Sequence, residues 1–176
     1  MQDYQGKLLI AHPNLKDGAF AHSVVYLYQH GENGSIGLVL NRATTWKVDR
    51  FLLEKGFDFI GPEVFYKGGP VNESAVVMLH DDDWYSSNTM QVGNGLAISS
   101  DLTMFEKLSM GNMPYNWRLF TGVSAWAPGQ LDMEVGASNG WQIAAPDDTI
   151  VFDQDGERQW NKAIQLCSRQ LIDQYI

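Results

Sequence analysis

Two runs of β-branched and aromatic residues around one turn constrain the fold of this chain more than any other feature. SVVYLYQH at 23–30 is followed by GENG and then by SIGLVLN at 35–41. Such runs on either side of a glycine-containing turn are typical of a β-hairpin. Because the second run is apolar at consecutive positions, it predicts a central strand that is covered on both faces.

Shorter patterns predict the remaining elements. Strands are expected at LLIA (8–11), EVFY before the Gly68-Gly69-Pro70 break, AVVMLH (75–80), a second hairpin around Gly93-Asn94-Gly95, 116–126, WQIA (141–144) and TIVF (149–152). The strands on either side of the Gly-Gly-Pro break are expected to be neighbours in the sheet. Helices are expected at 48–56, from the Ser100-Asp101 cap to Met110, from Pro128 to near Gly136, and along an apolar stripe of Trp160, Ile164, Cys167 and Leu171.

The order of these elements predicts the fold class. Strands and helices interleave without the regular βαβ rhythm of a doubly wound sheet, which favours the α+β class. We expect a compact single-domain α/β sandwich with mixed, largely antiparallel strands and hairpins. A chain of 176 residues is best read as one domain over residues 1–176.

Charge and cysteine content exclude several classes of function. Twelve Lys and Arg against 21 Asp and Glu give a net charge of −9, so direct binding to the phosphate backbone of DNA or RNA is disfavoured. No apolar run reaches the length of a membrane span, and the first residues lack the layout of a secretory signal. The single cysteine, Cys167, agrees with a reducing compartment. We expect a cytoplasmic protein without membrane contact.

The obvious reaction chemistries fit poorly. His80-Asp81-Asp82-Asp83 is rich in metal ligands, but adjacent residues on an extended chain point in alternating directions and cannot converge on one ion. Gly122-Val123-Ser124-Ala125-Trp126 begins like a nucleophile elbow, yet its fifth position is a bulky tryptophan. The glycine pairs lack the lysine-serine ending of a phosphate-binding loop. The sequence therefore indicates no cofactor, no metal site and no catalytic residue.

Arg42 follows the buried strand of the first hairpin, where its planar fork of donors could bind an anion or a carboxylate. The structural alternative is a salt bridge to a neighbour such as Glu134. Cys167 faces the apolar stripe of the last helix and is expected to be a buried, inert thiol.

Four segments that occur in order carry a family resemblance. They are KLLIAHPNLKDGAFAHSVVYLYQHGENGSIGLVLNRA, YKGGPVNESAVVMLH, FTGVSAWAPGQLDMEV and GWQIAAPDDTIVF. Together they resemble the bacterial AlgH/YqgE family, from Leu8 to Phe152. The matching positions are Asn41, Arg42, Gly68, Gly69, Pro70, Leu79, His80, Gly122, Trp126, Gly129, Gln130, Leu131, Glu134 and Trp141.

The resemblance implies a compact α/β sandwich of the bacterial cytoplasm that is often labelled a transcriptional regulator and has no established reaction. Several positions depart from the family pattern: Ala43 replaces the usual proline after Asn-Arg, Asp132 stands where glutamate is common, and Ser124-Ala125 varies the small pair before the tryptophan. The regulator label conflicts with an acidic chain that has no recognisable helix-turn-helix. Regulation through a protein partner agrees better with the charge.

The leading hypothesis is a non-enzymatic binding or regulatory module with a shallow cleft, which takes a protein partner or a small ligand. The cleft residues are predicted to be Asn41, Arg42, Gly68, Gly69, Pro70, His80, Trp126, Gly129, Gln130 and Glu134. The alternative is an enzyme that acts on a small molecule with His80 or Glu134 as general base. Direct DNA binding would require a basic face gathered from Lys7, Arg42, Arg50, Lys67 and Arg118.

Overall fold

A curled sheet runs through the chain in the computed structural model, which describes residues 3–15 and 17–174. Its strands are β1 (Leu8–Ala11), β2 (Val24–Gly31), β3 (Gly34–Val39), β4 (Ala43–Lys47), β5 (Val64–Lys67), β6 (Val71–Asp81), β7 (Met90–Gly93), β8 (Leu96–Ser99), β9 (Trp117–Trp126) and β10 (Trp141–Ala144). The main order is β10-β1-β2-β3-β9-β6-β8-β7, with β5 joining β4 to β9. The β5–β9 pair is parallel and the other pairs are antiparallel, so the predicted α+β class is confirmed.

The hairpin that opened the sequence analysis forms β2 and β3. Its residues alternate between two apolar layers: Leu38 packs in one cluster with Tyr26, while Val39 packs in another with Val25. This central strand is therefore buried on both faces, as its continuous apolar run predicted.

Five helices cover the two faces in the described part of the chain. They are α1 (Val48–Glu54), α2 (Leu102–Ser109), α3 (Gln130–Gly136), α4 (Asp148–Phe152) and α5 (Gly156–Asp173). The α4–α5 pair packs through Ile150, Trp160 and Leu166 on one face of the sheet. The other face holds two clusters, one under α3 and one under α1 and α2.

Strand β9 connects these three clusters. Phe120 and Val123 both pack in the cluster under α4 and α5. In a regular strand, residues three positions apart point to opposite faces, so the two could not share a cluster. Gly122, at φ 72°, shifts the alternation by one position between them. As a result Leu119 before the glycine and Trp126 after it both reach the opposite face.

Several element predictions are confirmed. The strand at 8–11, the hairpin around Asn94 and the helix at 48–54 are present. Helix α2 is capped as expected, since the Asp101 carboxylate accepts a hydrogen bond from the backbone N–H of Met104 at 2.8 Å. None of the helices in the described ranges is long and apolar enough to cross a membrane.

Two predictions about strands were wrong. TIVF forms helix α4, because Asp147 accepts a hydrogen bond from the N–H of Thr149 and so caps a helical turn. Strands β5 and β6 are not neighbours, since β9 lies between them and pairs with both. The three-residue connection Gly68-Gly69-Pro70 carries the chain from one side of β9 to the other instead of folding it back as a hairpin.

Two finer details of the helices also differ from expectation. Pro128 lies in the turn before α3, which begins at Gln130. Leu171, the last residue of the predicted apolar stripe on α5, is 56% exposed. Ala163 and Leu166, which were not part of the predicted stripe, are buried. The buried face of α5 therefore does not include Leu171.

Candidate functional site

A cleft of about 210 Å³ opens where the loop between β1 and β2 meets the start of β4 and the end of β5. We call it the Arg42 cleft. Three of the predicted site residues line it, and four further residues complete it; the full lining is Ala19, Phe20, Val39, Arg42, Lys67, Gly69 and Pro70. The cleft therefore combines a mainly apolar surface with two cationic side chains.

The aromatic wall of the Arg42 cleft is held from behind. Phe20 stacks on Trp126 with a centroid distance of 5.8 Å and meets the edge of Trp141 at 5.5 Å. Trp126 is only 4% exposed, so it belongs to the core rather than to the open surface that we predicted. Its role is to fix the position of Phe20, because aromatic pairs prefer defined geometries.

Arg42 is anchored at one corner of the cleft. Its Nη2 donates a hydrogen bond of 2.6 Å to the carbonyl of Ala21. Among the described residues Arg42 forms no salt bridge with Glu134, whose carboxylate accepts a hydrogen bond from the indole N–H of Trp141 at 3.2 Å. The Ala21 contact fixes the plane of the guanidinium and uses one of its five N–H donors.

Lys67 lies opposite Arg42. Its backbone N–H donates to the carbonyl of Arg42 at 2.8 Å, beside the antiparallel pair Ala43 and Tyr66. The ammonium group lies 3.7 Å from the carboxylate of Glu73, and both of these side chains are more than half exposed. Arg42 and Lys67 are therefore neighbours across the β4–β5 pairing, and both residues line the cleft.

The glycines of the Gly-Gly-Pro turn are explained by backbone packing. Both Gly68 and Gly69 are buried, and a Cβ on either one would collide with backbone atoms of β9 at Gly122 or Val123. The carbonyl of Gly68 accepts hydrogen bonds from the N–H of Val39 at 2.9 Å and from the hydroxyl of Ser124 at 3.0 Å. The close approach that these glycines permit is to β9, and only Gly69 also reaches the cleft.

Asn41 lies next to Arg42 in sequence but points into the core. It is 3% exposed, and its amide accepts from the N–H of Val24 and donates to the carbonyls of His22 and Gly156. These bonds tie β2 to the start of α5. The prediction that Asn41 faces a ligand was wrong, because its amide is fully used inside the protein.

His80 also lies outside the cleft. It is 0% exposed; Nδ1 lies 2.7 Å from the carbonyl of Asp81 and Nε2 lies 2.7 Å from the hydroxyl of Ser99. Since a carbonyl only accepts, Nδ1 carries the proton and Nε2 accepts from Ser99. Burial lowers the pKa of His80 below its ordinary value of 6.5, against the opposing effect of Asp81 and the two aspartates that follow.

The remaining predicted residues surround the start of α3. Gly129 precedes the helix with φ 79°, and Gln130 folds back so that its side-chain oxygen accepts from the N–H of Ala127 at 2.9 Å. Glu134 is tied to Trp141 as described above. None of these three residues lines the Arg42 cleft. The predicted site residues therefore fall into two groups, those that line the cleft and those that stabilise the fold around the start of α3.

A second cavity, of about 230 Å³, borders Arg118. The guanidinium donates to the carbonyls of Leu40, Phe152 and Gln154 and to the side chain of Gln159, and Tyr66 covers its face at 4.0 Å. Arg118 therefore ties β9 to α4 and α5. Because it is buried, it cannot contribute to the basic face that direct DNA binding would require.

No group of three or more His, Cys, Asp or Glu that could hold a metal ion occurs within residues 3–15 and 17–174. Ser124, the serine of the elbow-like motif, is buried and donates to Gly68. Burial also raises the pKa of the Cys167 thiol, which favours its uncharged form.

Four lining residues were missed from the sequence: Ala19, Phe20, Val39 and Lys67. Phe20 lies in an irregular loop, where no helix or strand period marks it as buried. Lys67 directly precedes the Gly-Gly-Pro turn, and its position opposite Arg42 depends on a strand pairing that the sequence did not reveal. The isolated aromatic among small residues in DGAFAH was the one available signal for Phe20.

Comparison with known proteins gives a consistent set of matches. The model of the AlgH-like family matches residues 8–172. A UPF0301 protein of Methylococcus capsulatus is 32% identical, with 93% of this chain and 91% of that protein covered. A UPF0301 protein of Ruegeria pomeroyi is 33% identical with the same coverage.

Two solved structures share the fold. The solution structure of the AlgH protein from Pseudomonas aeruginosa superposes with a TM-score of 0.76 at 29% identity, covering 94% of this chain and 92% of that one. The crystal structure of a protein from Corynebacterium diphtheriae gives a TM-score of 0.76 at 24% identity, over 94% and 87% of the two chains. At that identity the second match supports the fold alone.

Proposed function

The chain belongs to the AlgH-like family, and we propose that it is a non-enzymatic binding protein that works through the Arg42 cleft. The observation that carries the proposal is the combination of an apolar cleft, a fixed aromatic wall and two cations at one rim. Concave, mostly apolar sites with a few placed polar groups are the usual form of small-ligand and anchor-residue sites. The occupant is a small ligand or one anchoring group of a protein partner.

Under this proposal, a role in regulating gene expression would depend on the ligand or protein partner that binds in the cleft. The net charge of −9 disfavours the phosphate backbone, and Arg118 is lost from the candidate basic face because it is buried. We therefore propose that any effect on gene expression is indirect and passes through a protein partner. A cytoplasmic location remains our expectation from the single cysteine.

The enzyme alternative receives no support from the two bases considered. The Nε2 lone pair of His80 accepts from Ser99 in a fully buried position. Glu134 is engaged with Trp141 and lies outside the Arg42 cleft. A general base must reach a proton of the substrate, and neither group does so in this arrangement.

The test is a capture experiment from bacterial extract with three purified proteins. We would compare the native chain with Phe20→Ala, which removes the aromatic wall, and with Tyr85→Ala, which removes an exposed aromatic that does not line the cleft. Co-purifying proteins and extracted small molecules are both identified by mass spectrometry, after circular dichroism has shown that each variant is folded.

We expect bound material that Phe20→Ala loses and Tyr85→Ala keeps. The proposal is overturned if the same material accompanies all three proteins, because the cleft would then not be the binding site.

A further inference from the structure

We infer that the Arg42 cleft binds a small monocarboxylic acid, with the carboxylate between Arg42 and Lys67 and a compact apolar body against Phe20, Val39 and Pro70. This inference rests on the proposed function, since it names the class of ligand for the same cleft. It follows from the placement of charge, the composition of the lining and the size of the cavity.

The first argument is the pair of facing cations. Arg42, which directly precedes β4, is joined to Lys67 at the end of β5 by a backbone hydrogen bond of 2.8 Å, and both residues line the same cleft. Like charges directly opposite one another destabilise a sheet. The exposed Glu73 relieves this repulsion only in part, because exposed ion pairs contribute little. An anion seated between the two cations would relieve it directly.

The second argument is the absence of acid from the lining. The chain carries 21 acidic residues, yet among residues 3–15 and 17–174 none lines the Arg42 cleft. The acidic residue of the adjoining loop, Asp17, turns its carboxylate to the N–H of Ala19 at 2.9 Å. On a protein with this net charge, two cations over an apolar floor form a local site of opposite sign.

The third argument concerns the kind of anion. Phosphate groups are commonly bound by helix N-termini or by successive free backbone N–H groups. Among the residues that line the Arg42 cleft, the N–H groups of Phe20, Val39 and Lys67 already donate to the carbonyls of Asp17, Gly68 and Arg42. The charged donors of the cleft are one planar guanidinium and one ammonium, which match the two oxygens of a singly charged carboxylate.

The size of the cavity limits the rest of the ligand. At about 210 Å³ the cleft is smaller than the roughly 300–1,000 Å³ of sites for drug-sized molecules. An apolar body of a few carbon atoms fills it against Phe20 and Pro70. A short branched carboxylic acid has the required charge and volume.

The experiment is a titration followed by two-dimensional NMR of the ¹⁵N-labelled full chain. The probe is isovalerate, and its uncharged isostere isovaleramide tests the charge. We expect the amides of Ala19, Lys67 and Gly69 to shift with isovalerate, and an affinity about tenfold higher than for isovaleramide.

Variants locate the carboxylate. Arg42→Gln and Lys67→Gln each remove one charge and are expected to weaken isovalerate about tenfold, while Lys162→Gln, an exposed cation elsewhere, leaves the affinity unchanged. Glu73→Gln removes the competing carboxylate of Lys67 and is expected to strengthen binding by a small factor.

The outcomes separate this inference from the proposed function. Equal affinity for acid and amide would overturn the anion class and leave the cleft as a binding site. Tighter binding of inorganic phosphate, or of a short peptide through its C-terminal carboxylate, would also overturn the inference of a free small acid. No shift with isovalerate at any cleft residue overturns it as well, whereas the proposed function fails only in the capture experiment.

Discussion

Two of the polar residues that looked functional in the sequence, Asn41 and His80, are buried in the fold. Each of them uses its hydrogen-bonding groups within the fold. In a sequence, an amide that ties strands together cannot be distinguished from one that faces a ligand, because both are polar residues at the end of an apolar run. Their burial becomes visible only when the strands that cover them are known.

The buried His80 gives a prediction on pH. Because burial lowers its pKa below 6.5 in the folded protein, the unfolded chain binds more protons as the pH falls, and the free energy of unfolding decreases. The contribution of His80 is therefore present above about pH 6.5 and is lost as the pH falls below it. We expect the native chain to lose more stability between about pH 7.5 and pH 5.5 than His80→Gln.

The measurement is urea unfolding at both values of pH. Comparing the two proteins separates the pH dependence caused by His80 from the pH dependence that both proteins share. Equal losses of stability in the two proteins would show that His80 does not titrate abnormally. His80→Gln is expected to be less stable at every pH, which does not affect the comparison of slopes.

At the scale of elements, the connection between β5 and β6 depends on close backbone packing. Gly69 has φ 157°, and a Cβ there would collide with the backbone of Val123. Backbone atoms of a strand cannot move aside as a side-chain end can. We expect Gly69→Ala to lower the free energy of unfolding by about 3 kcal/mol.

The control for Gly69→Ala is Gly18→Ala. Gly18 is exposed, and a Cβ at this position meets nothing within 4 Å. Its substitution is expected to change stability by less than about 1 kcal/mol in the same denaturation measurement. A small effect at both positions would show that the crossing of β9 is looser than the structure indicates.

The elements that were predicted correctly are those whose sequence patterns lie within the element and its adjacent turns. The β2–β3 hairpin combines apolar runs with a glycine turn, and α2 combines a capping aspartate with a glycine stop. The strand prediction for TIVF failed because four residues are too few to show a period; the composition favoured a strand, while the Asp147 cap favours a helix. The place of β5 beside β9 also could not be predicted, since it depends on residues far apart in the chain.

At the scale of the whole molecule, β9 couples the three apolar clusters. Phe120, Trp126 and Leu119 each belong to a different cluster. A strand shared in this way leaves no cluster that can unfold without disturbing the others. We therefore expect a single cooperative unfolding transition.

The test is Leu119→Ala, which removes buried volume from the cluster under α1 and α2. The expected loss is about 3 kcal/mol, and the transitions followed by circular dichroism and by tryptophan fluorescence should move together. A transition that splits in the variant, with the α5 layer persisting, would contradict the coupling through β9.

The pairing of β1 with β10 also has a consequence for biosynthesis. β1 and β2 are both synthesised early, but the second edge of β1 pairs with β10, which is synthesised late, as in the pair Leu8 and Ala144. At about 5–20 residues per second, translation leaves this edge open for several seconds. An unpaired edge in an apolar strand is a template for association between nascent chains. The first strand to be made is thus among the last to be protected, and chaperones that bind nascent chains would act on it before any ligand of the folded protein could.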